Sequence, residues 1–250
     1  MALPVGYREQ EVAGTTLVTR GDAAERLSAP LRSGTTLYEW AAAQPGARAL
    51  QGRGATYVVP VGEDNWVVRH SWRGGAVAGL LRDLYLRTGE PRPYRELRVS
   101  DGLRQHGIET PAMLGFALYP VGPFYRSDVV TRYVPDSHDL ATLTFGGERA
   151  PAGDRVAAWR AAGALLRRSW NAGLVHPDLN LRNILISGPT ESPRAWLVDL
   201  DRAHLSGDMA AGDRVEMQRR LNRSREKLEA EYGQRVGKVE LIAFGEALHG

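Results

Sequence analysis

The stretch from Val175 to Asp201 restricts this chain more than any other. It reads Val175-His176-Pro177-Asp178-Leu179-Asn180-Leu181-Arg182-Asn183-Ile184-Leu185-Ile186, then a turn-rich run from Ser187 to Arg194, then Trp196-Leu197-Val198-Asp199-Leu200-Asp201. Two short apolar runs joined by Gly, Pro and Ser have the composition of a strand hairpin. Upstream, apolar residues at Val156, Trp159, Ala162, Leu165, Leu166 and Trp170 recur at helical spacing. Asp154 is placed as the N-cap of that helix and Gly173 follows its end. A helix, a tight polar loop and a hairpin in that order carry Asp178, Asn183 and Asp199 toward one another.

Those three side chains suit one kind of chemistry. Phosphoryl transfer needs a carboxylate to orient the attacking hydroxyl and take its proton. It also needs oxygen ligands for a magnesium ion that offsets phosphate charge. Asp178 fits the first task, and Asn183 and Asp199 the second. The pattern is H-x-D-x-x-x-x-N with a downstream Asp after an apolar strand. A lone H-x-D is common, and Asp178 alone reads equally as a loop or cap aspartate; the complete string carries the reading. His176 is expected to brace the loop by a hydrogen bond rather than to act as the base.

The first half reads differently. Leu37–Ala43 is a short helix closed by Gln44-Pro45-Gly46. Ala55–Val61 and Trp66–Arg69 form a hairpin about Gly62–Asn65. Val77–Leu86 and Tyr94–Gln105 read as helices, and Ile108–Tyr119 and Ser127–Tyr133 as further strands. From Asp208 onward the chain is helical and polar, with Arg and Glu at helical spacing. A β-rich half followed by a helical half predicts an α+β, two-lobed, protein-kinase-like fold. It would form one domain over 1–250, with an N-lobe over about 1–134 and a C-lobe over about 135–250.

Lysine occurs only at Lys227 and Lys238, so a phosphate-binding cation in the first 200 residues must be Arg or His. Arginine suits the task because its planar fork pairs bidentately with phosphate or carboxylate. Arg69 ends the second strand of the hairpin, where kinases carry the lysine of V-A-I-K. Glu96, in the helix that follows, is its candidate ion-pair partner, and otherwise lies on a solvated helix face. Gly52-Arg53-Gly54 precedes a strand and is either an ordinary turn or a place where the backbone approaches a triphosphate. The region from Arg69 to Arg95 is basic, and its charges are either a solvated surface or an anion-binding one. Within it Arg73-Gly74-Gly75 is the sharpest candidate.

No run of apolar residues is long enough to span a bilayer, and the N-terminus lacks a basic start before an apolar stretch. Cysteine is absent, which excludes disulfides and thiolate metal sites. A cytoplasmic protein is the expectation.

The chain resembles the lipopolysaccharide-core sugar kinases that act on 3-deoxy-D-manno-octulosonic acid (Kdo). The likeness runs from about Gly52 to Lys227. Val68-Arg-His-Ser-Trp-Arg-Gly-Gly75 is similar to the family's L-R-H-x-x-R-G-G. His176-Pro-Asp-Leu-Asn-Leu-Arg-Asn-Ile-Leu185 is similar to its H-x-D-L-N-x-x-N-I-L. Val198-Asp-Leu-Asp-Arg202 is similar to I-D-F-D-R, with Leu200 in place of Phe. Gly107-Ile-Glu-Thr-Pro111, the Thr131-Arg132 strand and a basic helix from Arg220 to Lys227 complete it.

The resemblance implies transfer of the γ-phosphate of ATP, with Mg2+, to a hydroxyl of Kdo on Kdo-lipid A or a related anionic glycolipid. It implies work at the cytoplasmic face of the inner membrane of a Gram-negative bacterium, and no nucleic-acid partner. It implies Asp178, His176 and Asn183 as catalytic-loop residues, Asn183 and Asp199 as metal ligands, and Gly52, Gly54, Arg69 and Glu96 at ATP. Arg73, His70 and Arg132 would meet the anionic acceptor. Two other readings share the motif: a small-molecule phosphotransferase of the aminoglycoside or choline kind, and a non-catalytic pseudokinase acting as a binding module.

Overall fold

A computed structural model of the chain describes residues 2–50, 56–72, 83–147 and 150–250. The chain divides into two compact units. The first comprises Met1–Arg98 and Ala112–Tyr133, the second Val99–Pro111 and Val134–Gly250.

The first unit is built on one antiparallel sheet. Its strands are β1 (Tyr7–Val12), β2 (Thr15–Arg20), β3 (Arg48–Leu50), β4 (Thr56–Val61), β5 (Asp64–His70), β6 (Tyr85–Leu86), β7 (Met113–Val121) and β8 (Phe124–Arg132). The order across the sheet is β1-β2-β7-β8-β5-β4-β3, with β6 also on β8. Neighbouring residues of the central strands are buried on opposite faces. Leu17, Ala117 and Val130 meet α1 (Ala23–Arg32) and α2 (Leu37–Ala43). Val18, Phe116 and Val129 pack with Leu97 of α3 (Arg92–Gln105). Each fully buried side chain of this kind contributes roughly 1.5–3 kcal/mol. Thr36 starts α2 with a reciprocal capping box to Glu39.

Two sequence expectations need correction here. Residues 77–82 of the expected Val77–Leu86 helix lie outside the described residues, but Tyr85 and Leu86 are a strand paired with Tyr125 and Phe124. Tyr85 stacks on Tyr125 with centroids 5.5 Å apart, a cross-strand aromatic pair that outweighs helical spacing. The strand expected from Ile108 begins only at Met113, and Ile108 is buried in the core of the second unit.

The second unit is mainly helical: α4 (Leu140–Phe145), α5 (Ala152–Asn171), α6 (Ala211–Tyr232) and α7 (Lys238–His249). Trp159, Leu165 and Leu166 put α5 at the centre of its core. Gly163 lets α5 lie against α7, since a Cβ there would come within 2.4 Å of the Phe244 carbonyl oxygen. Pro151, not Asp154, caps α5; Asp154 sits in the first turn, where a carboxylate still favours the helix dipole. Two small sheets complete the unit. One runs β9 (His138–Asp139), β11 (Ile184–Ser187), β12 (Arg194–Leu197); the other pairs β10 (Leu174–Val175) with β13 (His204–Leu205).

Candidate active site

The loop bearing Asp178 is held at both ends. Gly173 follows α5 with φ of 83°, a left-handed conformation. Its carbonyl accepts from Ser206 N–H at 2.8 Å, and a Cβ would collide with the Ser206 carbonyl at 2.1 Å. This contact sets the β10–β13 register, Leu174 opposite Leu205 and Val175 opposite His204. Beyond β10, α6 braces the loop: Met217 Sδ accepts from His176 N–H at 3.2 Å and Ser224 Oγ from Leu181 N–H at 3.3 Å.

Inside the loop, Nδ1 of His176 accepts from the Asp178 N–H at 3.3 Å. The bracing expected of His176 is therefore present as a hydrogen bond. His176 is fully buried. Burial lowers its pKa, against the opposing pull of Asp199, the Val198 backbone and Asp178. A neutral ring that accepts at Nδ1 carries its proton on Nε2. Asn180 closes the turn, donating to the Asp178 carbonyl at 2.9 Å and accepting from Arg182 N–H at 2.9 Å. A single 3-10 turn, Leu181–Asn183, then delivers Asn183 to the start of β11.

The hairpin brings Asp199 beside Asn183. Ile184 lies opposite Leu197, and one step further the Val198 N–H donates to the Asn183 carbonyl at 2.9 Å. Asp199 follows at once with φ of 61°, a left-handed conformation uncommon for a residue with a Cβ. Strain of this sort tends to collect at functional positions. Among the described residues, neither the Asp199 carboxylate nor the buried Asn183 amide has a hydrogen bond or ion pair, and Asn183 Nδ2 is orphaned. An adjacent amide and carboxylate, both uncommitted, are the hard oxygen donors that Mg2+ accepts. No group of three or more His, Cys, Asp or Glu among the described residues could hold a metal alone. A cation here would take its other ligands from phosphate and water. Asp178 is half-exposed, and its Oδ2 accepts from Arg202 Nη1 at 2.7 Å.

In the first unit, Arg69 lies one residue before the end of β5 and pairs with Glu96 of α3, whose side chain is 8% exposed. That burial separates Glu96 from an ordinary solvated helix position. Arg132 forms an exposed pair with Asp64 at 3.0 Å. His70 is clamped at both ring nitrogens, Nδ1 to Asp128 at 2.6 Å and Nε2 to Asp83 at 3.1 Å. Asp128 is fully buried and also accepts from Tyr119 Oη and the Tyr38 N–H. Burial lowers the His70 pKa, but the two carboxylates outweigh it and the net direction is upward. A ring so occupied has no N–H left for an anionic acceptor. Gly52, Gly54 and Arg73 lie outside the described residues.

Sequence reasoning missed Asp128 and singled out no role for Arg202. A carboxylate inside the β-branched run Ser127-Asp128-Val129-Val130 was the available signal for the first. The basic C-terminal helix is less free than its composition suggests: Arg220 and Arg223 both pair with Glu216.

Comparison with known proteins places the chain in a family. The sequence model of the lipopolysaccharide kinase (Kdo/WaaP) family matches residues 39–237. A 3-deoxy-D-manno-octulosonic acid kinase of Vibrio cholerae serotype O1 is 30% identical over 179 residues, 70% of this chain and 72% of that protein. One from Xanthomonas axonopodis pv. citri is 30% identical over 204 residues, 78% of each. A solved structure of WaaP in complex with acyl carrier protein superposes with a TM-score of 0.58 at 16% identity, covering 93% of this chain and 88% of that one. At that identity the likeness is one of fold.

Proposed function

The chain belongs to the lipopolysaccharide kinase (Kdo/WaaP) family, and on that premise we propose that it phosphorylates a hydroxyl of Kdo on Kdo-lipid A. It is an ATP-using phosphotransferase of the α+β, kinase-like fold. The observation that carries the reading is the span of the family match, which contains Arg69, Glu96, Asp178, Asn183 and Asp199 together.

Roles follow from chemistry. The acceptor hydroxyl gives its proton to a carboxylate oxygen of Asp178 as its own oxygen bonds to the γ-phosphorus of ATP. The bond from that phosphorus to the β,γ-bridging oxygen breaks, and ADP leaves with the electron pair. Neutral His176 keeps the Asp178 backbone in place through its Nδ1 acceptor and takes no proton from substrate. Asn183 and Asp199 would hold Mg2+, which supplies charge neutralisation to the phosphates. Arg69, oriented by Glu96, meets the ATP phosphates in place of the usual lysine.

The acceptor is an anionic glycolipid, so the enzyme acts as a peripheral protein on the cytoplasmic face of the inner membrane. No helix among the described residues is long and apolar enough to cross a membrane. The two units serve as one functional kinase domain. Incubation of Kdo-lipid A with ATP and Mg2+, read by mass spectrometry, tests the proposal. A gain of one phosphate on the Kdo portion supports it; phosphate appearing only on an aminoglycoside or choline offered in parallel contradicts it.

A further inference from the structure

We infer that Arg202 reads the carboxylate of the acceptor sugar while it holds Asp178. This rests on the Kdo reading above and extends it to a named specificity residue. The acceptor named for the relatives is an acid. Its own carboxylate must therefore approach a site whose base is also a carboxylate. Like charges at close range repel, and a cation shared between them removes the penalty.

Arg202 is placed for that task. Its Nη1 donates to Asp178 Oδ2 at 2.7 Å, and this is its only hydrogen bond or ion pair among the described residues. A guanidinium has five N–H donors, so an edge remains open for a second carboxylate in the two-pronged geometry Arg favours. Both side chains are half-exposed, at 54% for Arg202 and 41% for Asp178, so an incoming sugar can reach them. An ion pair this open adds little to folding stability, which leaves function as its larger consequence.

The backbone beneath Arg202 is nonetheless fixed. Leu200 and Ala203 are buried on either side, and the Ala203 N–H donates to the Leu200 carbonyl at 3.1 Å. The β10–β13 ladder pairs Val175 with His204, which carries Arg202 alongside the start of the Asp178 loop. The close contact of Gly173 with Ser206 locks that ladder. Arg202 thus stands at a set position beside the base.

The test compares two acceptors in detergent micelles, Kdo-lipid A and its derivative with the Kdo carboxyl converted to a methylamide. The enzymes are the full-length wild type, Arg202→Gln and Arg202→Lys. Wild type should prefer the acid over the amide in KM by about 10- to 100-fold, the value of a charged hydrogen bond. Arg202→Gln should collapse that preference to near unity, mainly by raising KM for the acid, and Arg202→Lys should retain part of it. A purely structural role would instead lower kcat for both acceptors together and leave the preference intact. An unchanged preference in Arg202→Gln, or in Arg202→Lys should the Gln variant not fold, overturns the inference. So does a wild type indifferent to the amide. A wild type inert toward both acceptors overturns the Kdo reading itself and takes this inference with it.

Discussion

The backbone N–H of Val198 donates to the carbonyl of Asn183 at 2.9 Å. This bond, one step past the Ile184–Leu197 pair of the hairpin, brings the backbone at Asn183 alongside the residue before Asp199. Asn183 precedes one strand and Asp199 follows the other. Among the described residues neither side chain has a hydrogen bond or ion pair, and this leads to the first expectation.

Asp199→Asn should weaken Mg2+ dependence without harming the fold. Asparagine tolerates the left-handed conformation that Asp199 adopts at φ of 61°, so the variant removes charge alone. The Mg2+ concentration for half-maximal activity should rise by about tenfold or more, as expected when one charged ligand worth over ~1.4 kcal/mol is lost. Metal titration at fixed ATP measures it. Unchanged Mg2+ dependence contradicts the metal role.

Arg69 and Glu96 are coupled. Arg69→Met should raise KM for ATP, and it should also remove the ion pair that Arg69 makes with the largely buried Glu96 carboxylate. The destabilisation should be about 1–3 kcal/mol by denaturant titration, because a buried carboxylate loses a charged hydrogen bond. The double variant Arg69→Met/Glu96→Gln should recover part of that stability while ATP affinity stays low. Recovery of ATP binding in the double variant would show that Arg69 acts only as a structural partner.

The two best-enclosed histidines should bend the pH profile of stability in opposite directions. The folded pKa of His176 is lowered by burial. Its contribution is therefore present above the ordinary histidine pKa and fades as pH falls below it, when the unfolded chain binds the extra proton. The folded pKa of His70 is raised, despite burial, by Asp128 and Asp83. Its contribution is full below the ordinary value and fades as pH rises through the folded one. His70→Asn should abolish the high-pH decline and lower stability by about 2–4 kcal/mol near neutrality, since Asp128 loses a buried charged partner. Urea midpoints across pH 5–9 check both signs.

Gly173→Ala should disturb the site from outside it. An added Cβ meets the Ser206 carbonyl at 2.1 Å, and φ of 83° disfavours it independently. The cost should be at least about 2 kcal/mol, with kcat falling as the β10–β13 ladder shifts. A variant as stable and active as wild type would show that the ladder does not position Asp178.

Some of this was legible in the residues and some was not, for physical reasons. The hairpin at Ile184–Leu197 and the glycine after α5 announce themselves because strand runs and helix ends have local chemistry. The β1–β2 hairpin turns on Ala13-Gly14, both left-handed, a local signal that sequence reasoning did not use; the place of β2 beside β7 at the sheet centre rests on long-range contacts that no local pattern in Tyr7–Arg20 reveals. Tyr85 and Leu86 read as helix because their spacing fits one, and only Tyr125 across the strand decides otherwise. In the candidate site, the hairpin that carries Asn183 and Asp199 is readable because the segment from Asp178 to Asp199 is contiguous. His70 was expected to face an acceptor. What occupies it, Asp128 and Asp83, lies 58 and 13 residues away, beyond the reach of spacing arguments.

The account rests most heavily on Asp178 as the base. The direct measurement is the rate of ADP release and of phosphate gain on Kdo-lipid A, for wild type and Asp178→Ala, at saturating ATP and Mg2+. Loss of a general base should cut kcat by about 10²- to 10⁴-fold, while the melting temperature stays within a few degrees because Asp178 is half-exposed and its ion pair with Arg202 is open to solvent. Turnover of Asp178→Ala at the wild-type rate would contradict the account.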